Sequence, residues 1–284
     1  MGTAKLKIIR SDGQQFNIDY DVWGLTSLAG FDSPNIEVFS EKRAFGDGSI
    51  ITGQRIGEAE RSFTARLIHT NSKVIERAKA IKFFNPKYSY DLYVTYQGVT
   101  KWCSANLLGR TIPTNNENRE LTLKCTFLSE MPYLKSVDDF GKDIAAITPS
   151  FMFPYLSDIS HGFNFSRIEQ NKTVTINYDG DVPSQFKCVI EAKGEVINPK
   201  IKKGDKYVRI LDTLQSGDKY IIDFVQSPPR IEKNGVAAFN MLDRGSSLVD
   251  MDLQIGSNVI SYEADSGDLL LSVTIFYNEL YLGV

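Results

Sequence analysis

Few side chains in this sequence are of a type and spacing that does chemistry. There are two histidines, His69 and His161, and three cysteines, Cys103, Cys125 and Cys188. A histidine-based triad would have to use one of the two, yet neither lies near a nucleophile signature such as GxSxG. His69 closes a strand-like run and His161 falls in an irregular stretch, so both read as structural or solvent-exposed. The cysteines are odd in number and lack CxxC spacing. They read as small apolar residues in strands rather than as a disulfide framework or a zinc site. Carboxylates are plentiful, but Asp179, Asp181 and Asp268 sit beside glycines in turn sequences. Aspartate is favoured there for its bonds to the backbone, which is the reading preferred over a glycosidase pair. In Ala264-Asp265-Ser266-Gly267-Asp268 two carboxylates lie close together, but a calcium loop needs more oxygen ligands at alternate positions. A hairpin turn is the reading for that run. The run Arg43-Ala44-Phe45-Gly46-Asp47-Gly48 is as glycine-rich as a phosphate loop, but the residues after it are β-like and offer no helix N-terminus to an anion. The sequence therefore predicts no catalytic, cofactor-binding or metal-binding residue, no cofactor and no enzyme activity.

The elements around these residues are strands. Between Asn177 and Asp223, Phe186, Cys188, Ile190 and Ala192 fall on one face, with Lys187, Val189, Glu191 and Lys193 on the other. Gly180, Pro183, Gly194, Pro199, Gly204 and Gly217 punctuate the runs, as turns in an antiparallel sheet do. The alternation Leu269, Leu271, Val273, Ile275, Tyr277 predicts a closing strand. Frequent turns between short strands favour a two-sheet sandwich for this half.

The first half opens on a hairpin signal: Leu6 and Ile8 alternate with Lys5 and Lys7, Ser11-Asp12-Gly13 turns, and Phe16 and Ile18 resume. Trp23-Gly24-Leu25 and a strand over Asn35 to Ser40 come next, and then the Arg43 to Ile51 glycine-bracketed turn. Phe63, Ala65 and Leu67 alternate with Ser62, Thr64 and Arg66. A helix is predicted after Asn71 or Ser72, burying Val74, Ala78 and Ile81 and stopping at Phe83-Phe84-Asn85-Pro86. Tyr88, Tyr90, Leu92, Val94 and Tyr96 form a ladder that could stack bases or sugars, but a core face with an aromatic rim is the preferred reading. Trp102, Ala105 and Leu107, then Leu121, Leu123, Cys125 and Phe127, supply partner strands. The polar run Thr111 to Glu120 reads as a hairpin tip. From Met131 to Phe163 the alternation stops and Phe151, Phe153, Tyr155 and Phe163 accumulate, as in a connection that packs against something.

At 284 residues the chain predicts two domains. The divisions are residues 1–135, a connecting segment 136–166 and residues 167–284. With 42% hydrophobic and 24% charged residues the composition is that of an ordinary globular protein. A net charge of -3 and a pI near 5.6 argue against a surface made to wrap nucleic acid. No run is apolar and long enough to span a bilayer, and the N-terminal run lacks the apolar core of a secretory signal. The sequence thus predicts no membrane partner.

The order of turns in the second half resembles a known family. Gly180-Asp181 near Pro183, a strand ending at Gly194, Asn198-Pro199, and Gly217-Asp218 leading through Ile221 and Ile222 to Asp223 are similar to the C-terminal part of phage distal tail proteins. These are baseplate hub components of long-tailed phages that infect Gram-positive bacteria. Lys233-Asn234-Gly235, the Leu242 to Leu248 segment and Gly256-Ser257-Asn258-Val259-Ile260 continue that order. The Arg61 to His69 strand, the helix and Asn85-Pro86 extend it loosely into the first half.

The resemblance implies a mainly β protein: an N-terminal sandwich or split-barrel-like domain with one helix, then a galectin-like β-sandwich. It implies a structural virion protein, made in the bacterial host cytoplasm and placed at the phage tail tip, whether of an infectious phage, a prophage remnant or a tail-like bacteriocin. Its N-terminal domain would build a homo-oligomeric ring, a hexamer, between the tail tube protein and the tail-associated hub protein, with a receptor-binding protein as a further candidate partner. DNA would pass through without specific binding. Such a ring needs two different surfaces on each protomer. The Arg43 to Ile51 and Thr111 to Glu120 loops, with Arg110 and Arg119 as charged probes of the second, and strand edges around Tyr88 to Tyr96 are the candidates. The competing reading is a carbohydrate-binding sandwich that recognises host cell-wall saccharide together with the Tyr88 to Tyr96 face. Neither Trp23 nor Trp102 lies in the sandwich half, so assembly is favoured.

Overall fold

The computed structural model describes residues 4–69, 72–114, 120–137, 140–143, 146–149, 166–169, 172–226 and 228–284. His161, Phe151, Phe153, Tyr155 and Phe163, expected in the connection, lie outside these, as do Asn71 and Arg119. The chain divides into two compact units: Met1–Val137 with Leu280–Val284, and Asp138–Glu279.

In the first unit, β1 (Lys5–Arg10) and β2 (Gln15–Ile18) form the expected hairpin, with Leu6 opposite Ile18 and Ile8 opposite Phe16. Then come β3 (Trp23–Ala29), β4 (Ile36–Lys42), β5 (Ser49–Ile56), β6 (Ala59–Leu67), α1 (Lys73–Phe83), β7 (Ser89–Tyr96), β8 (Val99–Thr111), β9 (Thr122–Ser129) and β10 (Leu134–Ser136). The main sheet runs β2-β1-β7-β8-β9-β6-β3, and β10 pairs with both β8 and the returning Leu280–Tyr281 strand. Period-two alternation puts Leu6, Ile8, Phe63, Ala65, Tyr90, Leu92, Val94, Leu123, Cys125 and Phe127 into one core.

The helix departs from its expected face. Val74 and Ala78 are exposed, and the residues it buries are Ala80 and Phe83. The reason lies at its C-terminal end. The Arg10 guanidinium donates to the carbonyls of Lys82 and Phe83, each at 2.9 Å. Arg110 reaches the carbonyls of Ile81 at 2.5 Å and Phe84 at 2.6 Å. The buried Tyr90 hydroxyl accepts from the Asn85 N–H at 2.6 Å. Two cations thus satisfy the last-turn carbonyls, where the helix dipole favours positive charge. Phe83 and Phe84 pack on Phe16, Tyr90 and Phe127. Held by its last turn, α1 leaves Val74 and Ile75 of its first turn exposed. Ser72 caps that turn, its hydroxyl accepting from the Ile75 N–H.

The second unit is a β-sandwich. A six-stranded sheet runs in the order 140–143, 271–277, 186–192, 219–223, 230–233, 236–237; a four-stranded sheet runs 173–178, 256–263, 200–203, 206–209. Side chains of both sheets, among them Phe186, Cys188, Ile190, Tyr220, Val273 and Ile275 from one and Ile176, Ile201, Val208 and Ile260 from the other, meet in one core. Val189, assigned to the outer face, is nevertheless buried, because its strand lies between two neighbours in the sheet centre. The closing strand begins at Leu271 rather than Leu269, since Asp268–Leu270 form a 3-10 turn that lifts Leu269 and Leu270 to the surface.

Candidate assembly interface

The residues with chemical potential are largely committed within the fold. Cys103, Cys125 and Cys188 are buried, unbridged and in strands. Burial pushes all three thiols up, that of Cys188 to about 12. None is a thiolate at neutral pH. His69 is exposed just beyond β6. Asp265 and Asp268 do not form a site together: Asp265 binds Asn198 Nδ2 at 2.7 Å and the Arg209 guanidinium, whereas Asp268 pairs with Lys172. Among the described residues no cluster of His, Cys, Asp and Glu could hold a metal ion.

The tyrosine ladder is core rather than platform. Tyr90, Leu92 and Val94 are buried, and Tyr88 lies under the Arg10 guanidinium at 4.4 Å. β7 is also no edge, since it is hydrogen-bonded to β1 on one side and β8 on the other. The expectation that strand edges around Tyr88 to Tyr96 supply an interface is therefore corrected. An aromatic pair on the other face is one the alternation hid: Tyr93 stacks on Trp102 at 5.7 Å, with Lys135 over the indole.

The second expected surface changes as well. Arg110 serves the helix carbonyls rather than a loop tip, and residues 115–119 lie outside those described. Glu120 makes an exposed ion pair with Arg66 at 3.7 Å.

The Arg43 to Ile51 turn, by contrast, is the tip of a projecting arm. Among the described residues β4 and β5 pair only with each other, apart from the main sheet. Ile36, Val38, Phe39, Ile50 and Ile51 are all exposed along it, and Phe45 at the tip is 95% exposed. An isolated two-stranded hairpin is marginal in water, and these side chains give it no buried core of its own. A polar brace crosses the arm at Arg55, which pairs with Glu37 at 2.6 Å and lies over the Phe39 ring. A strand rather than a helix comes after the glycines, so the tip has none of the geometry of a phosphate loop.

The Gln14 to Trp23 corner of the same unit carries a cavity of about 540 Å³ against α1, lined among others by Phe16, Trp23 and Phe83. Nothing in the sequence announced it, because it arises where β2, β3 and the last turns of α1 converge. The exposed first turn of α1, with Val74 and Ile75, was likewise hidden by an amphipathic spacing that the fold does not use.

In the sandwich, three of the residues behind the family resemblance, Asp218, Lys233 and Asn234, are joined with Asp212 and Tyr220 in one polar network. Asp212 Oδ2 accepts from Tyr220 Oη at 2.8 Å and Lys233 Nζ at 2.7 Å. Lys233 also pairs with Asp218 at 3.3 Å, and Asp218 accepts from Asn234 Nδ2 at 2.8 Å. Asn234 and Gly235 both have positive φ, as the tight turn between neighbouring strands requires. The network ties these turns to one another.

Residues 179–281 match the family described as siphovirus-type tail component, C-terminal domain. Over its whole length the fold is that of the SPP1 Dit protein (gp 19.1), described as a paradigm of the hub adsorption apparatus in phages infecting Gram-positive bacteria. The two share 12% identity with a TM-score of 0.67, over 98% of this chain and 99% of that one. A chain of the phage p2 baseplate in its activated conformation is similar at 10% identity and a TM-score of 0.59, with all of both chains covered. No curated protein matches the chain. Residues 179–281 thus fit the C-terminal domain of siphovirus-type tail components, here a β-sandwich, and the chain as a whole is mainly β with the fold of these tail and baseplate proteins.

Proposed function

We propose that the protein forms a head-to-tail homo-oligomeric ring, a hexamer, at the distal end of a phage tail, joining the tail tube to the tail-tip and receptor-binding apparatus. Residues 1–135 build the ring and residues 167–284 dock further baseplate parts. The observation that carries this reading is the β4–β5 arm: a hairpin with apolar residues uncovered on both strands is stabilised only when a partner covers it. Such an arm supplies one of the two unlike surfaces that a cyclic assembly beyond a dimer needs. The net charge of -3 suits a conduit that DNA slides through, since phosphate binding would require clustered cations.

The test is the absolute mass of the purified protein by light scattering over a concentration series, with negative-stain images of the same sample. A mass near about six protomers and particles with a central hole are expected. A monomer at every concentration that also fails to assemble on tail tube protein would overturn the ring.

A further inference from the structure

β3 separates two unlike features of the first unit. At its start, Phe16, Trp23 and Phe83 floor the cavity of about 540 Å³, and Asp19 and Asp21 line it. Asp19 accepts the Asp21 backbone N–H, and neither carboxylate is in an ion pair among the described residues. On the helix side Glu76 and Lys79 neutralise each other at 2.7 Å, and Lys82 adds a cation. At the other end of β3 the chain leaves through Gly30 to Asn35 into the arm, whose tip carries Phe45 flanked by Lys42 and Arg43. All three are exposed, as are the acidic Glu41 and Asp47 near them, and the two cations have no ion-pair partner among the described residues. Seven residues of strand put about 20 Å between the cavity and the root of the arm, and the arm itself extends by a similar length.

We propose that the arm tip of one protomer seats in the cavity beside Trp23 of the next copy, with Phe45 as its anchor and Lys42 and Arg43 facing Asp19 and Asp21. The inference rests on the ring reading and names its contact. An aromatic side chain entering a cavity floored by aromatic rings is the geometry of an interface hot spot. Two carboxylates outside any ion pair, opposite two such cations, orient the entry. Because knob and hole lie at opposite ends of one strand, each protomer can give its arm to one neighbour and receive that of another, as a closed ring requires.

The test uses full-length protein. Ala44 beside the anchor and Asn17 in the cavity lining are exposed, while the three native cysteines are buried. Single variants Ala44→Cys and Asn17→Cys are mixed and oxidised, and the cross-linked peptides identified by mass spectrometry. Disulfides between an A44C chain and an N17C chain are expected, and the double variant should give a ladder up to ring size. Phe45→Ala should weaken association at least about thirtyfold, as loss of a central aromatic anchor does. Arg43→Glu should weaken it too, with rescue by Asp21→Arg.

Rings that persist in F45A, or cross-links only between A44C chains, overturn the arm-in-cavity contact and leave the ring standing. Cross-links between A44C and N17C in a protein whose mass stays monomeric support the contact and overturn the stable ring.

Discussion

Arg10 and Arg110 divide four carbonyls of the last helical turn between them but are held differently. Arg10 is buried, pairs with Asp12 and stacks on Tyr88 and Phe83, whereas Arg110 is exposed. Removing Arg10 strands buried acceptors, so Arg10→Ala should cost about 3 kcal/mol, while Arg110→Ala, whose carbonyls water can reach, should cost about 1 kcal/mol. Urea unfolding followed by tryptophan fluorescence measures both, and equal losses would contradict the clamp. In the sandwich, burial alone pushes the Asp212 carboxyl up, but the hydrogen bonds from Lys233 and Tyr220 outweigh it and hold it below its ordinary value of 3.8. Asp218 is held low by the Gln215 N–H and by Asn234. A carboxyl depressed in the folded state stabilises above its unfolded pKa, and that stability is lost as the pH falls through the folded one. Asp212→Asn should therefore cost about 1–2 kcal/mol at pH 7, and the difference should shrink as the pH falls below about 4. Unfolding curves from pH 3 to 7 by circular dichroism test this; a pH-independent difference would assign the loss to packing.

Among the elements, the helix and the arm are opposite cases. α1 owes its place to tertiary anchors at one end, since its own apolar spacing leaves Val74 exposed. The arm owes its strands to pairing between β4 and β5 and contributes little to the core, because none of the core residues of this unit lies in either strand. Replacing Arg43–Gly48 by Asn-Gly should thus leave the thermal midpoint of the isolated protomer within about 2 °C, as surface changes do, while abolishing the oligomer. A large drop in midpoint with the oligomer intact would show the arm to be part of the fold.

For the whole molecule, chain order and spatial order differ. Residues 280–284 return to the first unit: Leu280–Tyr281 pairs with β10, Lys101 Nζ donates to the Gly283 carbonyl at 2.6 Å, and the Val284 N–H donates to the Phe31 carbonyl at 2.9 Å. Both tryptophans lie in that unit, so their fluorescence reports it selectively. Deleting residues 280–284 should lower the stability read by fluorescence by about 2 kcal/mol, the loss of a short strand and its burial, and leave the sandwich transition seen by circular dichroism unchanged. A loss confined to the sandwich would refute that division.

The class of the fold is legible in the amino-acid order alone. Period-two alternation and turn residues depend on local geometry, so the β1–β2 hairpin, the buried Tyr90-Leu92-Val94 face, the Phe186 to Ala192 strand and the Asn234-Gly235 turn could be read directly. The glycine-bracketed run that became the arm tip was legible for the same reason. The remaining features depend on contacts between residues far apart in the chain. Folding made Arg110 a helix anchor, put β7 in the sheet interior, turned α1 by its last turn, brought the C-terminal residues back to β10, and opened a cavity between β2, β3 and α1. A strand's own residues carry its alternation, but which neighbours pair with it, and so which edges and hollows remain uncovered, is set by long-range packing.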